Sequence, residues 1–298
     1  MSGLFPAAVS VAQGVFATLF PSDCAICGAP LVNISRLPVC EACLGSFARL
    51  SEWSCTICSE RLPNEEVARQ RGGICELCRR AQPPFAKAAA YGSYGGALRE
   101  LIQLFKYAGV KPAAGVLGRM LGEVLLQLSQ SSAQQAPMFA EQLPIVIPVP
   151  LFAGKRRERG FNQAEEIARV ALKHFRAEHF LASRGEPLTL ETRALARARD
   201  TRTQTGLTRH QRRQNMRGAF AVGNPELVRG RDVLLVDDVF TTGTTVSECA
   251  RVLRRAGAKR VLVATVARVL KPDAAQMLTP EMRTKMEASN EKAWAANA

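Results

Sequence analysis

The residues of this chain best suited to chemistry lie in one stretch, "VLLVDDVFTTGTT", from Val233 to Thr245. Val233 to Val236 form an apolar run that reads as a strand buried on both faces of a sheet. Asp237 and Asp238 are then expected to emerge at its carboxyl end, where open α/β sheets form their ligand crevices. Ionised carboxylates only accept hydrogen bonds, so the pair suits neighbouring hydroxyl donors such as those of a ribose and repels phosphate. The next residues reverse that preference. Thr241, Thr242, Thr244 and Thr245 lead into a helix, where unpaired amides, the helix dipole and side-chain hydroxyls converge on a phosphate. Gly243 lets the backbone approach such a group closely. A diol clamp beside a phosphate cradle describes a ribose 5-phosphate. A competing expectation is that Thr245 caps the helix and forms a capping box with Glu248, which leaves the paired aspartates unexplained. A Walker-type ATPase is excluded, because the chain contains no G-x-x-x-x-G-K-[ST] loop.

A second chemistry sits near the start of the chain. Eight of the 9 cysteines form C-x-x-C pairs: Cys24 with Cys27, Cys40 with Cys43, Cys55 with Cys58, and Cys75 with Cys78. Each pair can present two thiolates from one tight turn to a tetrahedral zinc ion, and two pairs close a site. Pairing neighbours gives two successive ribbons, while a crossed pairing of first with third and second with fourth stays open. Four thiolates leave no position for water or substrate, so both zinc ions would be structural. A redox role lacks the strand and helix pattern of a thioredoxin, and a disulfide framework fits the spacing less well than a metal does. This cysteine usage points to a reducing, cytoplasmic compartment. Cys249 stands alone and reads as a small buried hydrophobe.

The elements that must position these groups follow from periodicity. In "YGGALRELIQLFKYAGV", Leu98, Leu101, Ile102 and Phe105 recur with helical spacing and face a core, with Lys106 beside that face. A second helical run lies near Leu117 to Leu128. "LPIVIPVP" reads as a buried strand, followed by a helix from Asn162, a loop-rich basic segment from Arg193 to Arg217, a strand at "GAFAV", a helix from Thr244 to Ala256 and a strand at "RVLVATVA". This alternation predicts an α/β fold with a parallel sheet flanked by helices, preceded by a small cysteine-rich unit. The expected divisions are an N-terminal apolar helix over 1–23, a double zinc ribbon over 24–84, ligand-binding sheet domain over 85–270 and a polar tail over 271–298. Breaks at Pro6, Gln13 and Gly14 argue against a transmembrane segment in the apolar start. The formal net charge is +14, and Lys155 to Arg217 holds 16 Lys or Arg against 7 Asp or Glu. Such a field favours polyanions such as pyrophosphate or nucleic acid.

"VLLVDDVFTTGTT" resembles the phosphoribosyl pyrophosphate (PRPP) motif of type I phosphoribosyltransferases. Taken in order, the cysteine pairs, "LRELIQLFKYAG", "PVPLFAGKRRERGFNQAEEIA", "TRTQTGLTRHQRRQNMRGAF" and that motif resemble the ComF family over about residues 20 to 268. The resemblance implies a double zinc ribbon before a phosphoribosyltransferase domain and a link to DNA uptake in natural transformation. It places Asp237 and Asp238 on the ribose hydroxyls and Thr241 to Thr245 on the 5-phosphate. Departures are an extended linker near 129–142 and the C-terminal tail.

A transferase using PRPP must stabilise the departing pyrophosphate, which calls for fixed cations and Mg²⁺ carried mainly by the ligand. Lys155, Arg156, Arg157 and Arg159 are the candidates, with Arg159 and Arg156 foremost and with Gly160 and Asn162 shaping the turn. The segment Arg199 to Arg217 resembles the mobile hood of such enzymes, where Gln204 and Arg212 match the family pattern. Two functions follow as expectations. One is phosphoribosyl transfer to an unidentified acceptor. The other is a binding module that senses PRPP or a nucleotide while its basic face engages single-stranded DNA or DNA-uptake proteins.

Overall fold

The computed structural model describes residues 22–31, 35–50, 53–130, 143–180, 188–201 and 208–271. The expected N-terminal helix, the linker near 129–142 and the tail therefore lie wholly or mostly outside the described residues. The cysteine-rich segment contains three short helices: α1 (Glu41–Gly45), α2 (Glu65–Gln70) and α3 (Glu76–Arg80). The remainder runs β1 (Lys87–Ser93), α4 (Gly96–Tyr107), α5 (Ala113–Gln130), β2 (Ile145–Pro148), α6 (Ala153–Arg159), α7 (Gln163–Phe180), β3 (Leu195–Arg197), α8 (Arg209–Met216), β4 (Phe220–Val222), β5 (Asp232–Phe240), α9 (Thr244–Arg255) and β6 (Arg260–Arg268).

A parallel four-stranded sheet in the order β1-β6-β5-β2 forms the centre of the molecule. Because side chains alternate along a strand, β5 feeds two separate cores. Leu234 and Val236 join α4, α5 and α7 on one face, while Val233 and Leu235 join α9 and the second cysteine cluster on the other. Burial on both faces is why β5 and β6 are apolar without alternation. On α4, the residues predicted to face the core, Leu98, Leu101, Ile102 and Phe105, are all buried.

Both sheet edges are covered. Along β1, Leu50 N–H donates to Tyr91 O at 3.3 Å and Ala88 N–H donates to Ile57 O at 2.7 Å, so the cysteine-rich segment occupies that edge. At β2, Val146 N–H donates to Thr189 O at 2.8 Å and its carbonyl accepts from Glu191 N–H at 2.8 Å. The segment read as loop-rich from Arg193 to Arg217 is corrected in part by the structure. β3 pairs antiparallel with β4 outside the main sheet, and α8 between them starts at a capping box of Thr208 and Gln211. Its low apolar content hides that helix from hydrophobic periodicity. Among the described residues no helix is long and apolar enough to cross a membrane.

Helices α5 and α7 meet closely at two glycines. A Cβ at Gly118 would lie 2.3 Å from Val170 Cβ and 3.1 Å from Ile167 O, and one at Gly122 would lie 2.5 Å from His174 Cδ2. The α5–α7 seam is one wall of the core beneath β5. Gly118→Ala is expected to cost about 1–3 kcal/mol through overpacking, despite the better helix propensity of alanine. Urea unfolding of the two proteins checks this, and an unchanged midpoint would show that the seam relaxes freely.

Candidate functional site

The cysteines assemble as neighbours. The sulfurs of Cys24, Cys27, Cys40 and Cys43 lie within 4.8 Å of one another, as do those of Cys55, Cys58, Cys75 and Cys78. Sulfur separations of 3.9 Å for Cys24–Cys43, 3.7 Å for Cys27–Cys40 and 3.6 Å for Cys58–Cys75 match the edge of a tetrahedron with Zn–S bonds of about 2.3 Å. Both clusters are thus compatible with structural zinc. Each uses the same turn, in which an amide donates to the first thiolate: Cys40 N–H to Cys24 Sγ and Cys75 N–H to Cys55 Sγ, both at 3.3 Å. Against the opposing effect of burial, amides of Cys40, Cys27 and Ile26 hold the Cys24 thiol down to about 6. The clusters differ in exposure. All four cysteines of the second are buried, whereas Cys27 is exposed and Cys40 half-buried.

Asp237 and Asp238 lie within β5 rather than beyond its end, which corrects the expected strand boundary. β2 stops pairing at Pro148, opposite Val236, while β6 continues alongside to Phe240. The acids therefore sit where β5 outruns β2. Pleating sends them to opposite faces. Asp238, only 8% exposed, forms an ion pair with Lys106 Nζ of α4 at 2.8 Å. Asp237 turns back, and its Oδ1 accepts the Asp238 amide at 2.9 Å. Burial, reinforced by the neighbouring charge of Asp238, pushes the Asp237 carboxyl up to about 7 despite Lys106 and Arg197. Burial alone would lower the Lys106 ammonium, but the carboxylates of Asp238 and Asp237 raise it.

Both acids line one cleft of ≈ 160 Å³ with Lys106, Arg159, Arg197 and Thr245. Tyr107, the exposed last residue of α4, stands at this cleft with the Arg159 guanidinium 5.2 Å from its ring centroid. Gln163 also lines it, 2% exposed, with its Nε2 buried and unpartnered. Sequence reasoning missed Lys106, Tyr107, Gln163 and Arg197 as site residues. Lys106 and Tyr107 carried a signal, a cation and an aromatic following a core-facing helical stripe. Arg197 carried none, since it is one arginine among many in the basic segment.

Of the basic candidates after β2, the structure brings Arg159 to the aspartates. Arg156 pairs with Glu165 at 3.4 Å, while Arg157 is exposed and Lys155 half-buried, neither lining the cleft. These residues form the short helix α6, which ends at Gly160 in a left-handed conformation with φ 80°. Asn162 then fixes the chain, its Nδ2 donating to Val149 O at 3.1 Å.

The threonines divide between two clefts. Thr245 faces the acids, whereas Thr241, Thr242, Gly243 and Thr244 border a larger cleft of ≈ 900 Å³. The hydroxyls of Thr242 and Thr244 bond to each other at 2.8 Å. The capping-box expectation is corrected. Gly243, with φ 74°, is the N-cap of α9 and no side chain caps it. Glu248 instead accepts the Gly218 amide at 2.7 Å and pairs with Arg251, because its position on α9 faces the β4 approach rather than the helix start. Arg212 borders the larger cleft, Gln204 lies outside the described residues, and Cys249 is fully buried as expected.

Residues 158–286 match the phosphoribosyl transferase domain family, and a parallel sheet with two acids, a hydroxyl-rich turn and a helix at the end of a central strand agrees with that match. Over most of its length the chain is similar to two curated proteins. It is 28% identical over 250 residues to DNA utilization protein YhgH of Escherichia coli O157:H7, covering 84% of this chain and 98% of that one. It is 28% identical over 238 residues to Competence protein F of Haemophilus influenzae, covering 77% and 96%. These likenesses and the two four-cysteine clusters bear out the resemblance to the ComF family. A shorter match, 54% identical over 48 residues, joins it to Ribose-phosphate pyrophosphokinase 2 of Archaeoglobus fulgidus, 16% of this chain and 18% of that protein.

The Asp237 carboxyl has a stability consequence of definite sign. Its folded value, about 7 against an ordinary 3.8, means that the native state binds more protons than the unfolded chain between those limits. Its contribution is therefore full below the ordinary value and lost as pH rises through about 7. In paired urea titrations the stability of Asp237→Asn relative to the wild type is expected to rise with pH from the ordinary value of 3.8 to about 7 and to level off above it. Parallel pH curves for the two proteins would contradict this.

Proposed function

We propose that this protein binds PRPP with Mg²⁺ and transfers its phosphoribosyl group to an acceptor. The carrying observation is the sorting of charge in one cleft at the carboxyl ends of β2 and β5. There two carboxylates, three cations and the buried, unpartnered amide of Gln163 converge beside the start of α9. We assign Asp237 and Asp238 to the ribose hydroxyls, which donate to carboxylates, and the Thr241–Thr245 turn to the 5-phosphate. Arg159, with Lys155, Arg156 and Arg157 on the same short helix, serves the pyrophosphate, and the segment carrying Gln204 and Arg212 serves as the hood. In transfer, the anomeric C–O bond breaks, pyrophosphate leaves with the electron pair, and the acceptor's lone pair forms the new bond at that carbon. Mg²⁺ bound to the phosphates would neutralise the charge growing on the leaving group.

Lys106 acquires a role in this reading. Its ion pair at 2.8 Å holds the Asp238 side chain in its buried position. When a hydroxyl donates to that carboxylate, Lys106 is placed to face the pyrophosphate instead. The zinc ribbon over 24–84 is the structural unit and residues 85–270 the transferase domain.

A second reading, a single-stranded DNA-binding accessory of DNA uptake, has its own support in the larger cleft. Arg213, Arg217, Arg255 and Lys271 line it beside the Thr241–Thr244 turn, an arrangement suited to the phosphates of a nucleic-acid strand. The names of the two full-length relatives, one a DNA utilization protein and one a competence protein, agree with it.

Calorimetry with PRPP and Mg²⁺ tests the first reading. Asp237→Asn combined with Asp238→Asn is expected to weaken binding by about 100-fold or more, the scale of losing charge-assisted hydrogen bonds. Exchange of labelled pyrophosphate into PRPP, assayed with and without nucleobases, should vanish in the same variant. Absence of both binding and exchange in the wild-type protein removes the reading. For the second, affinity for single-stranded DNA should fall steeply between 50 and 200 mM salt and persist in the aspartate variant. Salt-independent affinity would exclude it.

A further inference from the structure

One buried cation connects the second cysteine cluster to the threonine turn. Arg268, the last residue of β6, is 4% exposed. Its Nη2 donates to Glu60 Oε2 at 2.9 Å and lies 3.7 Å from Cys58 Sγ. The same guanidinium sits 4.4 Å from the ring centroid of Phe240, the last residue of β5. Phe240 in turn supports the turn above it. A Cβ at Gly243 would lie 2.5 Å from Phe240 Cζ, so the turn rests against the tip of that ring with room for hydrogen only. Phe85 packs edge-on against the Phe240 ring itself, with ring centroids 6.0 Å apart.

The cysteine end of this path is equally anchored. Ser59, between Cys58 and Glu60, adopts a left-handed conformation with φ 55°, which a non-glycine residue adopts only at a cost. Its hydroxyl donates to Ala88 O of β1 at 2.7 Å. The second oxygen of Glu60 accepts the Lys271 amide at 3.3 Å. Glu60 and Arg268 are both buried, and a buried ion pair holds its geometry only when its partners are held. Metal at the second cluster would fix the Cys55–Cys58 turn and therefore Glu60. The first cluster lies on the opposite sheet face, where Cys24 and Cys43 pack with α4 and α5.

We propose that Arg268 is a positioning residue through which the second cysteine cluster holds the Gly243 turn, so that metal at Cys55, Cys58, Cys75 and Cys78 sets the order of the Thr241–Thr245 loop. The functional consequence, a preformed phosphate cradle, rests on the reading proposed above. The physical coupling does not. The first cluster has no part in it and serves the α4–α5 side.

Hydrogen exchange measured by mass spectrometry on the full chain tests the coupling without any ligand. The paired variant Arg268→Met with Glu60→Gln removes both charges together and so avoids stranding a buried ion. In it, amides of the peptide spanning 240–246 are expected to exchange faster by about tenfold or more, the scale of losing a desolvated cation–π contact. Arg268→Lys, which retains charge but not the flat stacking surface, should fall between. Stripping zinc from the second cluster should reproduce the paired variant, whereas Cys27→Ser in the first cluster should leave the loop protected. Peptides from β2 and α7 serve as the folding control and should not change. Wild-type protection of the loop in the paired variant, with native mass spectrometry showing two zinc ions retained, would overturn the proposal. So would faster exchange spread equally over β2 and α7. Inorganic phosphate and PRPP titrations separate the two claims. If neither ligand binds the wild type while the exchange pattern holds, the functional reading fails and the coupling stands.

Discussion

The ion pair between Asp238, only 8% exposed, and Lys106 of α4 at 2.8 Å ties two distant parts of the chain together at the end of β5. A buried ion pair is favourable only where both partners are held in good geometry, because each has given up its water. The need to deliver Lys106 constrains much else. α4 must dock with Leu98, Leu101, Ile102 and Phe105 in the core, so that its next residue reaches the end of β5. β5 must outrun β2, so that the acids have space in front of them rather than a partner strand.

Among the described residues the sheet has four strands, and its edges are protected by parts of the chain that are not strands of the sheet. Along β1 that cover is the cysteine-rich segment, whose backbone bonds to Ala88 and Tyr91. A segment this small, whose helices α1, α2 and α3 run only five or six residues each, cannot bury enough surface to hold itself in shape, and two clusters of four thiolates supply the missing constraint. The second cluster is therefore part of the wall of the larger cleft and shares one hydrophobic core with β5 and α9. Its turn could not be rebuilt as a detached module without leaving Arg268 and Glu60 unpaired.

Much of the fold was legible because its signals are local. The stripe on α4, the continuous apolar runs of β2, β5 and β6, and the regular C-x-x-C spacing each reflect a requirement that a few consecutive residues must satisfy alone. The α8 helix was not legible, since a polar helix held by a capping box has no apolar period. The Thr245–Glu248 capping box was suggested by spacing but displaced by tertiary demand: Glu248 is used to receive the Gly218 amide and Arg251, and glycine starts the helix instead. Of the basic run after β2, spacing could not say which cation would face the acids, because the short helix α6 rotates each side chain to a different direction.

What the amino-acid sequence determined by itself was the identity of the candidate groups: two adjacent acids, a hydroxyl-rich turn at a helix start, and four pairs of cysteines. These depend on side-chain chemistry and near-neighbour spacing, which the order of residues states directly. Only the tertiary structure decided where those groups point. Pleating sent Asp237 and Asp238 to opposite faces, the turn at Gly243 divided the threonines between two clefts, and Lys106, Arg197 and Arg268 were brought in from distant segments. Such placements arise from strand pairing and helix docking between residues far apart in the chain, and no local pattern encodes them.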